Sequence, residues 1–248
     1  MPPLRVEELT AGTWPGFERL VEKHRGVWGG CWCIAFHIPP GEGGKERTAA
    51  QNKAEKEELV RAGRAHAALV YDGKELVGWC QFGPPAELPA RMTNYRRLGV
   101  EPPDWRIPCF FVDRDRRHQG VAKAALQGAL RLIAQKGGGT VDAYPVATRG
   151  EPSPGSFIWG GTETMFAREG FRTVARLGPN KRMMRKVVPL RGPPPGAPSE
   201  ERGADDGGPT TRAGPPAVAG LTKGKRPGGS PRTGAGRTPR RGTRSRTR

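Results

Sequence analysis

Short apolar runs separated by charged segments and turns fill the first three quarters of the chain. Weak alternation over residues 4–9 predicts a first strand, and residues 65–71 and 75–82 flank an Asp-Gly-Lys turn at 72–74. Such a pair of alternating runs around a two- or three-residue turn predicts an antiparallel hairpin. Residues 107–112 form a largely apolar run with a proline at its second position and an aspartate after it, which predicts a buried strand.

Helical periodicity appears in three places. Thr13 as a cap, with Pro15 in the first turn, predicts a helix that ends near residue 24. Residues 45–61 predict a charged helix with a narrow apolar face. Residues 121–136 carry an apolar stripe at helical spacing, and three glycines at 137–139 end it. Strands and helices therefore alternate as in an α/β domain.

The composition changes at about residue 188. Residues 189–248 contain few aliphatic residues and no aromatic ones, and they carry 13 Lys and Arg against 4 Asp and Glu. A segment of this kind cannot bury enough apolar surface to offset its conformational entropy. We predict one folded domain over 1–188 and a disordered basic tail over 189–248, which holds half of the net charge of +18.

The cysteines favour neither a disulfide framework nor a metal site. The chain has four cysteines, at positions 31, 33, 80 and 109, too few for a disulfide scaffold. Cys31 and Cys33 lie between His24 and His37, but a Cys-x-Cys pair with scattered histidines is poor zinc spacing. We predict no metal, and the absence of a secretory or membrane-spanning run predicts a cytoplasmic protein.

The most informative segment is Arg116-Arg117-His118-Gln119-Gly120-Val121-Ala122, which joins the apolar strand to the alanine-rich helix. A basic, glycine-containing turn that opens a helix can bind phosphate, because the first N–H groups of the helix point outward and its dipole favours an anion. The single glycine does not fit the Gly-x-Gly-x-x-Gly fingerprint or the P-loop pattern. An ordinary basic strand-to-helix turn is the alternative.

A second motif lies about fifty residues downstream. Residues 165–171, Met-Phe-Ala-Arg-Glu-Gly-Phe, predict a short helix that ends at Gly170 and a strand that begins at Phe171. With Arg117–Ala122 as Arg-x-x-Gly-x-Ala, the chain resembles the GCN5-related N-acetyltransferase (GNAT) family over residues 105–188. The resemblance implies an acyl-CoA N-acyltransferase fold: a mixed, mostly antiparallel α/β sheet with one splayed parallel strand pair.

The resemblance also implies where acetyl-CoA, the co-substrate, binds. The pantetheine arm pairs with the backbone of the fourth strand, and the pyrophosphate lies on the turn that follows. The residues so implied are Phe111, Val112, Asp113, Arg116, Arg117, His118, Gln119, Gly120, Val121 and Ala122. Arg116 and Arg117 are candidate charge partners of the phosphates; solvent-facing charges are the alternative.

Catalysis is less defined than cofactor binding. The amine must lose a proton to attack, and Asp113 and Asp142 are the nearest carboxylate candidates. The family's usual tyrosine acid, four residues before the second-motif glycine, is Phe166 here. Tyr144 or a water could substitute for it. Structural roles remain the alternative for all three candidates: strand-end or surface carboxylates for the aspartates, and aromatic packing for the tyrosine.

These observations predict an acetyl-CoA-dependent N-acetyltransferase that acts on a primary amine of a small molecule or protein. The alternative is a non-catalytic acyl-CoA-binding or nucleic-acid-associated module, favoured by Phe166 and by the basic tail. Lacking aromatic residues to stack on bases, the tail would contact nucleic acid or acidic surfaces only weakly and without sequence preference. The loops at 28–44 and 83–104, which would select the acceptor, carry no recognisable motif.

Overall fold

A computed structural model describes residues 3–42, 47–147 and 159–190, and all of them lie in one compact unit. The predicted tail falls outside the described residues from position 191 onward. The last described strand ends at Val188, and the domain boundary near that residue stays a prediction of the sequence.

Seven strands form one sheet in the order β1-β2-β3-β4-β5-β7-β6. β4 and β5 are parallel, whereas the other five described pairs of neighbours are antiparallel, so the mixed, mostly antiparallel sheet is confirmed. The strands are β1 (Arg5–Glu8), β2 (His66–Asp72), β3 (Glu75–Gly83), β4 (Trp105–Val112), β5 (Gly139–Ala143), β6 (Arg172–Gly178) and β7 (Lys181–Val188).

Five described α-helices accompany the sheet: α1 (Trp14–Lys23), α2 (Ala49–Arg61), α3 (Thr93–Leu98), α4 (Val121–Gln135) and α5 (Glu163–Arg168). Helix α2 begins four residues later than predicted, because Thr48 forms a capping box. The Thr48 Oγ1 accepts from the Gln51 N–H, and the Gln51 side chain accepts from the Thr48 N–H. The predicted cap Thr13 does not cap α1 with its side chain, which instead donates to the Glu8 carbonyl at 2.9 Å.

Alternation along the central strands divides the apolar side chains between the two faces of the sheet. Ala68 and Val70 of β2 belong to the cluster around α4, whereas Leu69 and Tyr71 belong to the cluster around α1 and the loop at 27–36. Successive side chains of a strand point to opposite faces, so both faces are covered and the central strands are buried on both sides.

Close packing fixes the start of α4 against the sheet. A Cβ at Gly78 of β3 would lie 2.7 Å from Val121 Cγ1 and 2.7 Å from the Phe111 carbonyl oxygen. Any larger residue at this position would push the first turn of α4 away from β3 and β4. Gly78 therefore keeps the helix N-terminus at the end of β4, where the cavity described below opens.

Candidate functional site

Strands β4 and β5 separate after only three paired positions. Trp105 to Ile107 pair with Val141 to Ala143, where β5 ends, while β4 continues to Val112. The first β4 residue beyond the pairing is Pro108, which has no N–H to offer a neighbouring strand. The divergence implied by the family resemblance is thus present, and it begins at a residue that cannot extend the ladder.

Along the unpaired part of β4, the backbone N–H and C=O groups of successive residues point alternately toward β3 and toward the gap. The Asp113 N–H donates to the Val77 carbonyl of β3 at 2.8 Å, so Phe110 and Val112 turn their polar groups toward the gap left by β5. The Phe110 N–H donates to the Trp159 carbonyl at 2.7 Å. Val112 therefore presents its backbone polar groups to the gap, whereas Phe111 and Asp113, for which the resemblance implied the same pairing, turn theirs toward β3.

The turn after β4 presents the N-terminus of α4 to the same gap. A short 3₁₀ turn, Arg114–Arg116, is followed by His118 with φ 62° and Gly120 with φ 80°, and α4 begins at Val121. The first N–H groups of an α-helix have no intrahelical partner. A Cβ at Gly120 would meet no atom within 4 Å, so the space outside the turn is open to a ligand.

A cavity of about 400 Å³ joins this turn to the gap side of β4. Eight of the ten predicted cofactor residues line it: Phe111, Val112, Arg116, Arg117, His118, Gly120, Val121 and Ala122. The sequence interpretation missed Trp28, Phe110, Lys123, Trp159, Gly161, Thr162 and Met165, which complete the lining. Gln119 is outside the lining and donates to the Asp115 carbonyl at 3.2 Å.

The two arginines of the turn differ in their partners. Arg116 pairs with Asp72 at 3.0 Å and with Glu75 at 3.5 Å, which ties the turn to the β2–β3 hairpin. Arg117 is exposed and has no carboxylate within 4 Å among the described residues. Arg117 and the neighbouring Lys123, which also lines the cavity, are therefore the cations best able to meet an anionic ligand.

We expect Arg117→Gln to weaken acetyl-CoA binding about 10-fold at low salt, because a charge-assisted hydrogen bond contributes ~1.5–3 kcal/mol and 1.4 kcal/mol is a factor of ten. Arg116→Gln should cost less affinity, because its charge is already engaged by Asp72. Isothermal titration at two ionic strengths measures both, and the Arg117 effect should shrink in salt. A larger loss for Arg116 than for Arg117 would contradict this assignment.

Asp113 is held in an ion pair. Lys23 Nζ donates to Asp113 Oδ2 at 2.7 Å, and the Asp115 N–H donates to Oδ1 at 3.1 Å. Burial alone would raise the pKa of Asp113, but these hydrogen bonds outweigh it and lower the pKa. Asp113 does not line the 400 Å³ cavity. Its side chain thus fixes the turn and stays a carboxylate with low affinity for a proton.

Asp142 and Tyr144, by contrast, share one buried network. Arg185 donates to both Asp142 oxygens at 2.6 and 2.8 Å, and the Tyr95 hydroxyl donates to Oδ2 at 2.9 Å. The Tyr95 and Tyr144 hydroxyls are hydrogen-bonded to each other, and Arg106 Nε donates to Tyr144 Oη at 2.7 Å. Burial raises the pKa of Tyr144, so its hydroxyl stays protonated.

Hydrogen-bond directions in this network follow from proton counting. Tyr95 has one hydroxyl proton, and it points to Asp142, so the proton between the two tyrosines belongs to Tyr144. The Tyr144 oxygen has two lone pairs, of which Arg106 occupies one. One lone pair of Tyr144 is left for a further donor. Nothing in the local sequence around Tyr95 or Arg106 signals this network, because its members come from four separate segments.

Phe166 lies in the core. Its ring is fully buried and packs edge-on against Phe110 at 5.8 Å and Phe171 at 5.0 Å between centroids. The neighbouring Met165 is the α5 residue that reaches the cavity. The position where the family resemblance places a tyrosine acid therefore carries no proton donor.

A second, smaller cavity of about 130 Å³ lies beside the first, and Trp159 lines both. Its wall consists of aromatic and cationic residues with one amide and one leucine: Phe36, Tyr144, Trp159, Arg91, Arg97, Arg106, Lys181, Asn94 and Leu177. Burial, together with the nearby Arg91, lowers the pKa of Lys181 to about 8. The predicted Tyr144 is thus at the wall of a cavity, whereas Asp142 lies behind it.

The Cys-Trp-Cys segment is part of the core on the α1 face. Cys33 Sγ lies 3.8 Å from Cys109 Sγ and accepts from Trp79 Nε1 at 3.3 Å. His37 contacts the buried Lys56 through Nε2 at 3.0 Å rather than a cysteine. Within residues 3–42, 47–147 and 159–190, no group of three His, Cys, Asp or Glu side chains is placed to hold a metal ion.

Comparison with known proteins agrees with this geometry. Residues 33–150 match the sequence model described as the acetyltransferase (GNAT) family. This match confirms the resemblance to that family, over residues 33–150. No curated protein matches the chain. In the part of the chain that the structure describes, no helix is long and apolar enough to cross a membrane.

Solved acetyltransferases resemble the structure only at low identity. An acetyltransferase from Thermus thermophilus is 18% identical, with 75% of this chain and 97% of that chain covered and a TM-score of 0.41. An N-acetyltransferase from Staphylococcus aureus Mu50 is 13% identical, covering 76% and 99%, with a TM-score of 0.43. A ribosomal-protein-S5-alanine acetyltransferase from Vibrio fischeri is 11% identical, covering 76% and 94%, with a TM-score of 0.42.

Proposed function

We propose that the protein is an acetyl-CoA-dependent N-acetyltransferase that transfers the acetyl group to a primary amine by direct attack on the thioester. The observation that carries this proposal is the 400 Å³ cavity, which joins the N-terminus of α4 to the gap side of β4 within a GNAT domain. When bound, acetyl-CoA supplies an activated acetyl thioester. A cytoplasmic setting remains a prediction of the sequence.

The residues of the first cavity fit the chemistry of this co-substrate. The free N–H groups at the start of α4, with Arg117 and Lys123, would hold the pyrophosphate, since a helix N-terminus and cations both favour an anion. Val112 turns its backbone donor and acceptor toward the gap, where an amide-containing arm could pair with it. Phe110, Trp159 and Met165 would form an apolar wall around the thioester end.

The acceptor amine would enter through the second cavity and lose its proton to the tyrosine network. The Tyr144 oxygen would accept the amine proton on its unused lone pair, while its own proton passes to Tyr95 and the Tyr95 proton passes to Asp142. The C–N bond then forms as the C–S bond breaks. The nitrogen sheds a second proton as the amide forms, and because Phe166 offers no acid, that proton would reach the departing sulfur through solvent.

Thiol release measures this function directly. The full-length chain with acetyl-CoA should release CoA thiol in the presence of a primary amine and not in its absence, and mass spectrometry should find the acetylated amine. Isothermal titration should show acetyl-CoA binding at micromolar concentrations. If acetyl-CoA binds but no amine in a broad panel is acetylated, the alternative of a non-catalytic acyl-CoA-binding module is favoured.

We expect Tyr144→Phe to lower kcat about 100-fold, because a positioned proton-transfer group contributes ~10²–10⁴-fold. The dissociation constant for acetyl-CoA should not change, since Tyr144 does not line the first cavity. Tyr71→Phe serves as the matched control, because Tyr71 lies in the α1-face cluster away from both cavities. Retained kcat in a folded Tyr144→Phe protein would exclude the relay.

A further inference from the structure

We propose that the second cavity binds an anionic group of the acceptor, so that the substrate is an amine that also carries a carboxylate or a phosphate. This inference rests on the proposed function, whose acceptor class it narrows. The inference is based on two observations: cationic side chains line the cavity, and no acidic side chain of the described structure lines it with them.

Arg106 is the strongest sign of a missing anion. Its side chain is 1% exposed, yet its described partners are the neutral Tyr144 hydroxyl and the Leu88 carbonyl. Among the described residues, no carboxylate lies within 4 Å of this guanidinium. A buried charge is costly unless it is paired, and Arg106 lines a cavity in which a ligand could pair it.

Three further cations surround the same space. Lys181, Arg91 and Arg97 line the cavity, and none of them has a carboxylate within 4 Å among the described residues. Lys181 Nζ lies 3.8 Å from the Trp159 ring centroid, and the Arg91 guanidinium lies 5.4 Å from the same centroid. These cation–π contacts hold two positive groups in place in the cavity wall without neutralising them.

The aromatic residues determine what else can enter. Phe36 and Trp159 have centroids 5.6 Å apart and form one apolar side of a cavity of about 130 Å³. The described lining contains no acidic side chain that would attract an unmodified polyamine. A small amine with an anionic end, rather than a purely cationic amine, therefore matches both the size and the charge of this space.

The same cations would favour catalysis once the acceptor is bound. Positive neighbours disfavour a second positive charge, so they lower the pKa of an amine held among them. Burial and Arg91 already act in this way on Lys181, whose pKa falls to about 8. The acceptor would thus be bound by its anion, while its amine is shifted toward the neutral form that attacks the thioester.

Binding of matched amine pairs to the full-length chain saturated with CoA tests the inference without requiring turnover. The pairs are phenylalanine with phenethylamine, lysine with cadaverine, and phosphoethanolamine with ethanolamine. We expect at least one anionic member to bind about 10-fold or more tightly than its partner without the anion, consistent with a charge-assisted contact. The phosphoethanolamine pair separates a phosphate requirement from a carboxylate requirement.

Variants that remove one positive charge test whether the anionic group of the acceptor binds in the second cavity. Lys181→Gln and Arg91→Gln should each weaken the preferred anionic amine about 10-fold, while Arg96→Gln, an exposed arginine on α3 outside this lining, should not. Equal binding of both members of every pair, or equal effects of Arg96→Gln and Lys181→Gln, would overturn the inference. Failure of the proposed function would differ: the anionic amine would bind, but no thiol would be released.

Discussion

A Gly120→Glu variant should bind acetyl-CoA at least about 100-fold more weakly than the wild-type chain, equivalent to about 2.7 kcal/mol. Gly120 precedes the first turn of α4, and the space beyond its Cα is open to the cavity. A glutamate there would place a carboxylate at the helix N-terminus, where it would occupy the anion site and repel the pyrophosphate.

The variant should nevertheless fold. A Cβ at Gly120 would meet no atom within 4 Å, so the main cost is the φ of 80°, about 1 kcal/mol for a residue other than glycine. Gly63→Glu is the matched control: Gly63 also has a positive φ, 66°, and also has open space, but lies outside the cavity lining. Thermal unfolding and isothermal titration of both variants separate strain from lost binding; equal affinities would refute a phosphate site at this turn.

Asp142→Asn should destabilise the protein by about 3 kcal/mol, because removing one partner of a buried ion pair leaves the other charge without compensation. Asp142 is fully buried and accepts three hydrogen bonds, two from Arg185 and one from Tyr95. The asparagine can accept through one oxygen only, and its NH₂ group would face donors. Urea unfolding of both proteins measures the difference.

An exposed pair provides the control for this prediction. Arg61 and Glu57 form an i,i+4 pair at 2.6 Å on the surface of α2, and Glu57→Gln should cost no more than about 0.5 kcal/mol. An Asp142→Asn effect as small as this would show that the network does not hold the sheet together. If the folded Asp142→Asn protein also loses turnover, Asp142 is supported as the end of the proton relay.

The turn that lines the first cavity could be predicted because the signals for it are local. The turn at 116–122 joins a strand to a helix within a few residues, so the glycine, the basic residues and the free helix N–H groups adjoin one another in sequence and in space. Strand divergence was implied by family resemblance, and Pro108 gives it a physical cause. Gly170 follows the end of α5 as predicted, with φ 84°.

The two aspartates considered as catalytic bases have different ion-pair partners in the structure. Asp113 and Asp142 are both strand-associated aspartates in the sequence, but one is paired with Lys23 of α1 and the other with Arg185 of β7. These partners are 90 and 43 residues distant in the chain, so no local pattern could assign them. Phe166 was recognised as lacking a hydroxyl, whereas its burial in the core became evident only from the fold.

The sequence by itself determined the strand-turn-helix that opens the first cavity, the mixed α/β class and the composition boundary near residue 188, because propensities, glycine positions and apolar periodicity act over short spans. Only the tertiary structure decided which charges meet. Arg106, Tyr144 and Lys181 come from β4, the end of β5 and β7, and the sheet order brings them to one cavity with Arg91 and Trp159. Electrostatic interactions depend on distance in space rather than in sequence, so the second cavity could be found only in the folded chain.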